Sequence, residues 1–183
     1  VSQPKPVTII DRLIAPGATR GEIAAGFGAA TGGALLVLFL ALDARLPALA
    51  VVVVVVIAFD LFGGAVVNAT GSAKRWFHRP GRTAVHHLGF VAGHVHPFVL
   101  AAVVPGFTWT TAAATYGAVL AGAVLVEFAP AALRRPVAFA VTALALTPIL
   151  ALAPPPAAVA WFVPVLMVKL LLAHLLPEDR PAT

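Results

Sequence analysis

Six apolar blocks, separated by short polar or proline-rich breaks, follow one another along most of the chain. Each is close to the ~20 residues that an α-helix needs to cross a bilayer. In lipid, a backbone that pairs its own N–H and C=O groups must be a helix or part of a closed barrel, and blocks of this length select helices. The blocks run from about Glu22 to Leu42, Pro47 to Asn68, Ala84 to Val104, Thr110 to Ala129, Pro136 to Leu152 and Ala157 to Leu176. The run "VVVVVV" at 51–56 would suit a strand in a soluble protein, but within an apolar block of this length it reads as a helical span. Prolines mark most of the block ends, where a helix must stop. The expected fold is therefore an all-α integral membrane bundle of six transmembrane helices over residues 21–177. Residues 1–20 form a tail or interfacial segment, with Val7, Ile9, Ile10, Leu13 and Ile14 against the headgroups, and 178–183 form a short C-terminal tail.

The charges orient this bundle. Lys5, Arg12 and Arg20 precede the first block, Lys74, Arg75, Arg79 and Arg82 follow the second, and Arg134 and Arg135 follow the fourth. The alternate connections hold only Arg45 with Asp43. Basic loops mark the cytoplasmic side, so both termini are expected there, in a multi-pass protein of a bacterial inner (cytoplasmic) membrane. The net charge of +5 then reports orientation and contact with anionic lipid, and nucleic acid is not an expected partner. With no cysteine in the sequence, disulfides, thiolate metal sites and cysteine nucleophiles are excluded.

Polar residues inside the blocks point to function, because a charge at the bilayer centre costs about 2.5–3.5 kcal/mol on insertion scales. Counting ~1.5 Å per residue from the basic end puts Asp60, His94 and Lys169 at similar depths of ~12–15 Å. A shallower layer holds Asn68, His86, His87, Glu127 and His174. On an unbroken helix His87 and His94, seven apart, share a face, whereas His86 and His96 point elsewhere and Pro97 introduces a kink. The expectation is a polar pocket in the cytoplasmic half, with Asp60, His87, His94 and Lys169 as acid–base groups. Asn68, His86, Glu127, His174, Arg75 and Arg79 would bind substrate, the two arginines in the basic stretch "GSAKRWFHRPGR" suiting a phosphate or diphosphate.

The substrate class expected for such a pocket is apolar and lipid-like, an isoprenoid among the candidates, since ionisable groups crowd one half and the other is apolar. A metal-assisted version would place a divalent metal on Asp60, His87 and His94, although the HxxxH and HxxHH boxes of membrane desaturases are absent from the sequence. Two other readings stay open: a small proton-coupled transporter or channel, with a homo-oligomer supplying the symmetry that one chain lacks, and haem held by paired histidines. Glu127 paired with Arg134 or Arg135, Lys169 reaching to the headgroups, and glycines 63 and 64 as packing notches are the corresponding structural readings.

Overall fold

The computed structural model describes residues 14–177, and these are helical with no strand among them. The main elements are α1 (Arg20–Asp43), α2 (Ala48–Ala69), α3 (Gly71–Phe77), α4 (Ala84–Ala92), α5 (His96–Val103), α6 (Trp109–Phe128), α7 (Arg134–Leu152) and α8 (Phe162–Met167). A π-helical segment, Val168–His174, continues directly from α8. Among the described residues, five stretches are long and apolar enough to cross a membrane: Arg20–Asp43, Ala48–Ala69, Trp109–Phe128, Ala131–Leu152 and Ala157–His174. Their outer faces are greasy. Leu35, Phe39, Leu49, Leu144 and Leu152 all stand exposed on the surface of the bundle, as lipid-facing residues do.

The third block is not one helix. The chain unwinds at Gly93–Val95, leaving α4 and α5 as two short helices, with Pro97 in the first turn of α5. Proline suits that place because its missing N–H is one of the donors that a helix start leaves unpaired. Breaking a helix within an apolar block frees carbonyls, and these need donors. Two side chains supply them: Tyr116 of α6 donates its hydroxyl to Ala92 O at 2.7 Å, and His94 Nδ1 lies 2.8 Å from Phe90 O.

The last helix is the centre of the bundle. Phe162, Val163, Leu166, Met167, Leu170 and Leu171 are essentially fully buried, packed against α2, α6 and α7. Its π character matters to the site. Positions five apart on an α-helix diverge by about 140°, but here Leu175 N bonds to Leu170 O, an i→i+5 step. The wider turn lets both Lys169 and His174 face inward, and both are buried. Such π turns concentrate at functional sites.

At the basic end, a reciprocal cap starts α1. Thr19 Oγ1 accepts from Glu22 N while Thr19 N donates to Glu22 Oε2 at 2.8 Å, and the second carboxylate oxygen accepts from Ser72 N at the start of α3. Residues 71–77, expected as loop, form the helix α3, opened by a Thr70 cap that accepts from Ala73 N. Lys74 Nζ donates to Ala173 O and Leu176 O, capping the C-terminal end of the π segment with positive charge. Ile14, expected against headgroups, is instead buried with Ala15, Val67 and Ala73. Residues 1–13 and 178–183, including Val7, Ile9, Ile10 and Leu13, lie outside the described residues.

Candidate functional site

Asp60 and Lys169 meet. Lys169 Nζ donates to Asp60 Oδ2 at 2.6 Å and lies 3.4 Å from the Asp60 backbone oxygen. The two partners have unlike surroundings: the lysine side chain is 3% exposed and the aspartate side chain 49%. Gly64, one turn along α2, makes room for the lysine, since a Cβ there would stand 2.5 Å from Lys169 Cε and 2.8 Å from Nζ. Gly63 has the packing role expected of it, because a Cβ there would come within 2.8 Å of Ala30 Cβ on α1.

The imidazole beside Asp60 is that of His96, not His94. His96 Nε2 lies 3.9 Å from Asp60 Oδ2, while His94 turns Nδ1 to Phe90 O and packs its ring 5.3 Å from the His96 ring. The expected His87–His94 face requires an unbroken helix. The unwound turn at Gly93–Val95 rotates everything after it, so His96 takes the position facing α2.

Asp60 opens sideways. A groove of about 320 Å³ runs between α1 and α2, lined by Phe27, Val56, Phe59 and Val67 with Asp60 as its charged member. Phe27 and Phe59 face each other across it, ring centroids 6.4 Å apart, and both are partly exposed on the outside of the bundle. An ion pair thus sits at the edge of an apolar groove that opens on the outside of the bundle. A half-exposed carboxylate facing hydrocarbon would be costly unless a polar group covers it.

A second cluster gathers at the basic end. His87 Nδ1 is 3.2 Å from both Glu127 oxygens, and Nε2 is 3.1 Å from Phe77 O. Both ring nitrogens thus lie against acceptor atoms. Glu127 therefore pairs with His87, and Arg134 bonds only its backbone oxygen, at 3.0 Å. His174 stacks on Phe90 with centroids 4.0 Å apart, and His78 Nε2 donates to His174 O at 3.0 Å. Burial, outweighing that hydrogen bond, holds His78 below the usual histidine range.

The remaining expected binding residues scatter. Asn68 is buried, and its Nδ2 has no partner among the described residues. Arg79 folds back over the Trp76 ring, 3.5 Å from its centroid, and Arg75 is exposed on α3. His86 accepts at Nδ1 from Thr83 at the start of α4. Sequence reasoning passed over His96, His78, Arg82 and Tyr116. The only available signals were the Pro97 kink beside His96 and the place of Arg82 just before a Thr cap.

The metal-assisted expectation loses its ligand set. Among the described residues no three His, Asp or Glu side chains converge as metal ligands, and His87, bonded to Glu127, lies in a different cluster from Asp60 and His94. Of the two histidines expected to pair with His174 around a haem, His87 has both ring nitrogens engaged. No family model, curated protein or solved structure matches the chain.

Proposed function

We propose that the protein is a membrane-embedded enzyme that works on the polar end of an amphiphilic, lipid-like molecule entering from the bilayer between α1 and α2. The observation that carries this reading is the half-exposed Asp60 carboxylate, paired with buried Lys169, at the edge of the apolar groove. The hydrocarbon of the substrate would lie along Phe27, Val56 and Phe59, and its polar end would meet Asp60. Asp60 exchanges the proton as general base or acid, and Lys169 holds its charge and orientation. His96, ~1 Å beyond hydrogen-bond range of Asp60, accepts or returns that proton once the site closes on substrate. Isoprenoid lipids fit the groove chemistry as well as other long-chain amphiphiles do.

This reading includes six membrane crossings, with α4 and α5 together making the third, and both termini on the cytoplasmic side of a cytoplasmic membrane. Supporting it, His87 at the start of α4 bonds to the Glu127 end of α6, whereas Thr111 at the start of α6 bonds to Ala153 beyond the far end of α7. The basic residues of 74–82 and 134–135 then share one side.

The experiment is turnover. Purified protein is incubated with a total lipid extract of bacterial membranes and the lipids are profiled by mass spectrometry, wild type beside Asp60→Asn. A lipid consumed and a product formed only by wild type supports the enzyme. A second reading, a proton-coupled carrier, is favoured by the unwound α4–α5 junction beside an ion pair, a design that transporters share. An unchanged lipid profile, together with Asp60-dependent movement of protons into sealed vesicles, would replace the enzyme with that carrier.

A further inference from the structure

A recess of about 240 Å³ lies at the basic end, lined by Phe77, Arg82, His86, His87, Phe90 and His174. It shares no lining residue with the α1–α2 groove, and nothing in the acid–base proposal uses it. We infer that this recess is a binding site for an oxyanion of the phosphate class, either free or carried by a lipid headgroup.

The first ground is His174. Its side chain is 2% exposed, wedged between Phe90 and Phe77, and neither ring nitrogen has a partner among the described residues. Buried polar atoms in native proteins are nearly always paired, so an orphaned imidazole on the wall of a cavity marks where a ligand or water bonds. The second ground is the set of donors around it. His86 Nδ1 accepts from Thr83 N, which places the ring hydrogen on Nε2 as a donor. Arg82 adds a guanidinium fork, suited to two oxygens of one anion.

The third ground is the helix. Arg82, His86 and His87 surround the first turn of the nine-residue α4, which has no acidic residue in that turn. The positive end of the helix dipole therefore lies beside the recess. The charged neighbours have fixed partners that leave this field positive. Glu127 is paired with His87, Lys74 caps the carbonyls of the π segment, and His78 donates to His174 O. An anion with several oxygens can take donors from Arg82, His86 and His174 together.

The test uses the full chain in detergent, titrated calorimetrically with inorganic phosphate, and in phosphatidylcholine nanodiscs doped with phosphatidic acid, read by native mass spectrometry. Saturable binding of either probe is expected, free phosphate indicating a soluble ligand and phosphatidic acid alone indicating a headgroup. Arg82→Gln and His174→Phe, the latter keeping the stack on Phe90, should each weaken binding about tenfold, the loss of one charge-assisted hydrogen bond. Arg20→Gln, an exposed cation at the same end of the bundle but outside the recess, should leave it unchanged. Should His174→Phe fail to fold, Arg82→Gln alone decides, since Arg82 is not part of the core. Absence of saturable binding by both probes would overturn the inference, and so would an equal loss in Arg82→Gln and Arg20→Gln.

Discussion

Removing either member of the Asp60–Lys169 pair should destabilise the bundle, but unequally. Asp60→Asn leaves an ammonium whose side chain is only 3% exposed facing an amide. Stranding a buried charge in this way costs about 3–5 kcal/mol. Lys169→Met strands the carboxylate instead, but that side chain is 49% exposed and can meet headgroup, water or a proton. Its loss should stay near the worth of one hydrogen bond to a charged group, about 1.5–3 kcal/mol. The double variant Asp60→Asn/Lys169→Met removes both charges, and replacing an ion pair with neutral groups is often close to neutral. It should therefore be more stable than Asp60→Asn alone. SDS titration in mixed micelles gives the free energies, with Trp161, whose ring packs 5.5 Å from Phe62, as fluorescent reporter. If Lys169→Met proved as costly as Asp60→Asn, or the two losses simply added in the double variant, the buried-lysine argument would be refuted.

Gly64→Ala should cost about 1–3 kcal/mol by overpacking, because the new methyl meets Lys169 Cε and Nζ, and the loss should vanish in a Lys169→Ala background. Tyr116→Phe leaves Ala92 O without its donor, so about 1–3 kcal/mol of stability should go, with faster hydrogen exchange at the unwound Gly93–Val95 turn. His78 is held below its ordinary value of 6.5 chiefly by burial. As pH falls through that ordinary value the unfolded chain protonates first, so stability is full above it and declines below it until the folded His78 also takes a proton. His78→Gln, which keeps a donor, should flatten that decline in thermal unfolding compared at neutral and mildly acidic pH. Single cysteines at Ser2 and Pro155 of the thiol-free chain should label from opposite sides of the membrane, and labelling from one side would reject the topology.

Much of the bundle was written in block length. Apolar runs of the right size mark five long helices because a membrane span needs little else. The rise per residue puts Asp60 and Lys169 at one depth, and the two are in contact. Neither count can see a change of helical pitch. The unwound Gly93–Val95 turn rotates the chain so that His96 rather than His94 reaches Asp60, and the π segment turns His174 inward. Nor does a side-chain pattern reveal a backbone partner. Tyr116 and His94 serve carbonyls that exist as free acceptors only because α4 ends, and Lys74 serves those at the end of the last helix. Glu127 stood near two arginines in sequence, yet the start of α4 lies beside the end of α6, and His87 is nearer.

Lipid cross-linking bears most directly on the claim that an amphiphile seats its polar end on Asp60. A photoreactive phenylalanine analogue is placed at Val56 in the groove and, separately, at Leu144 on the exposed face of α7. The account predicts one discrete lipid species attached at 56, lost when Asp60→Asn is added, and a mixture reflecting the bulk membrane at 144. The same bulk mixture at both positions, or a cross-link from 56 to a second copy of the chain, would contradict it.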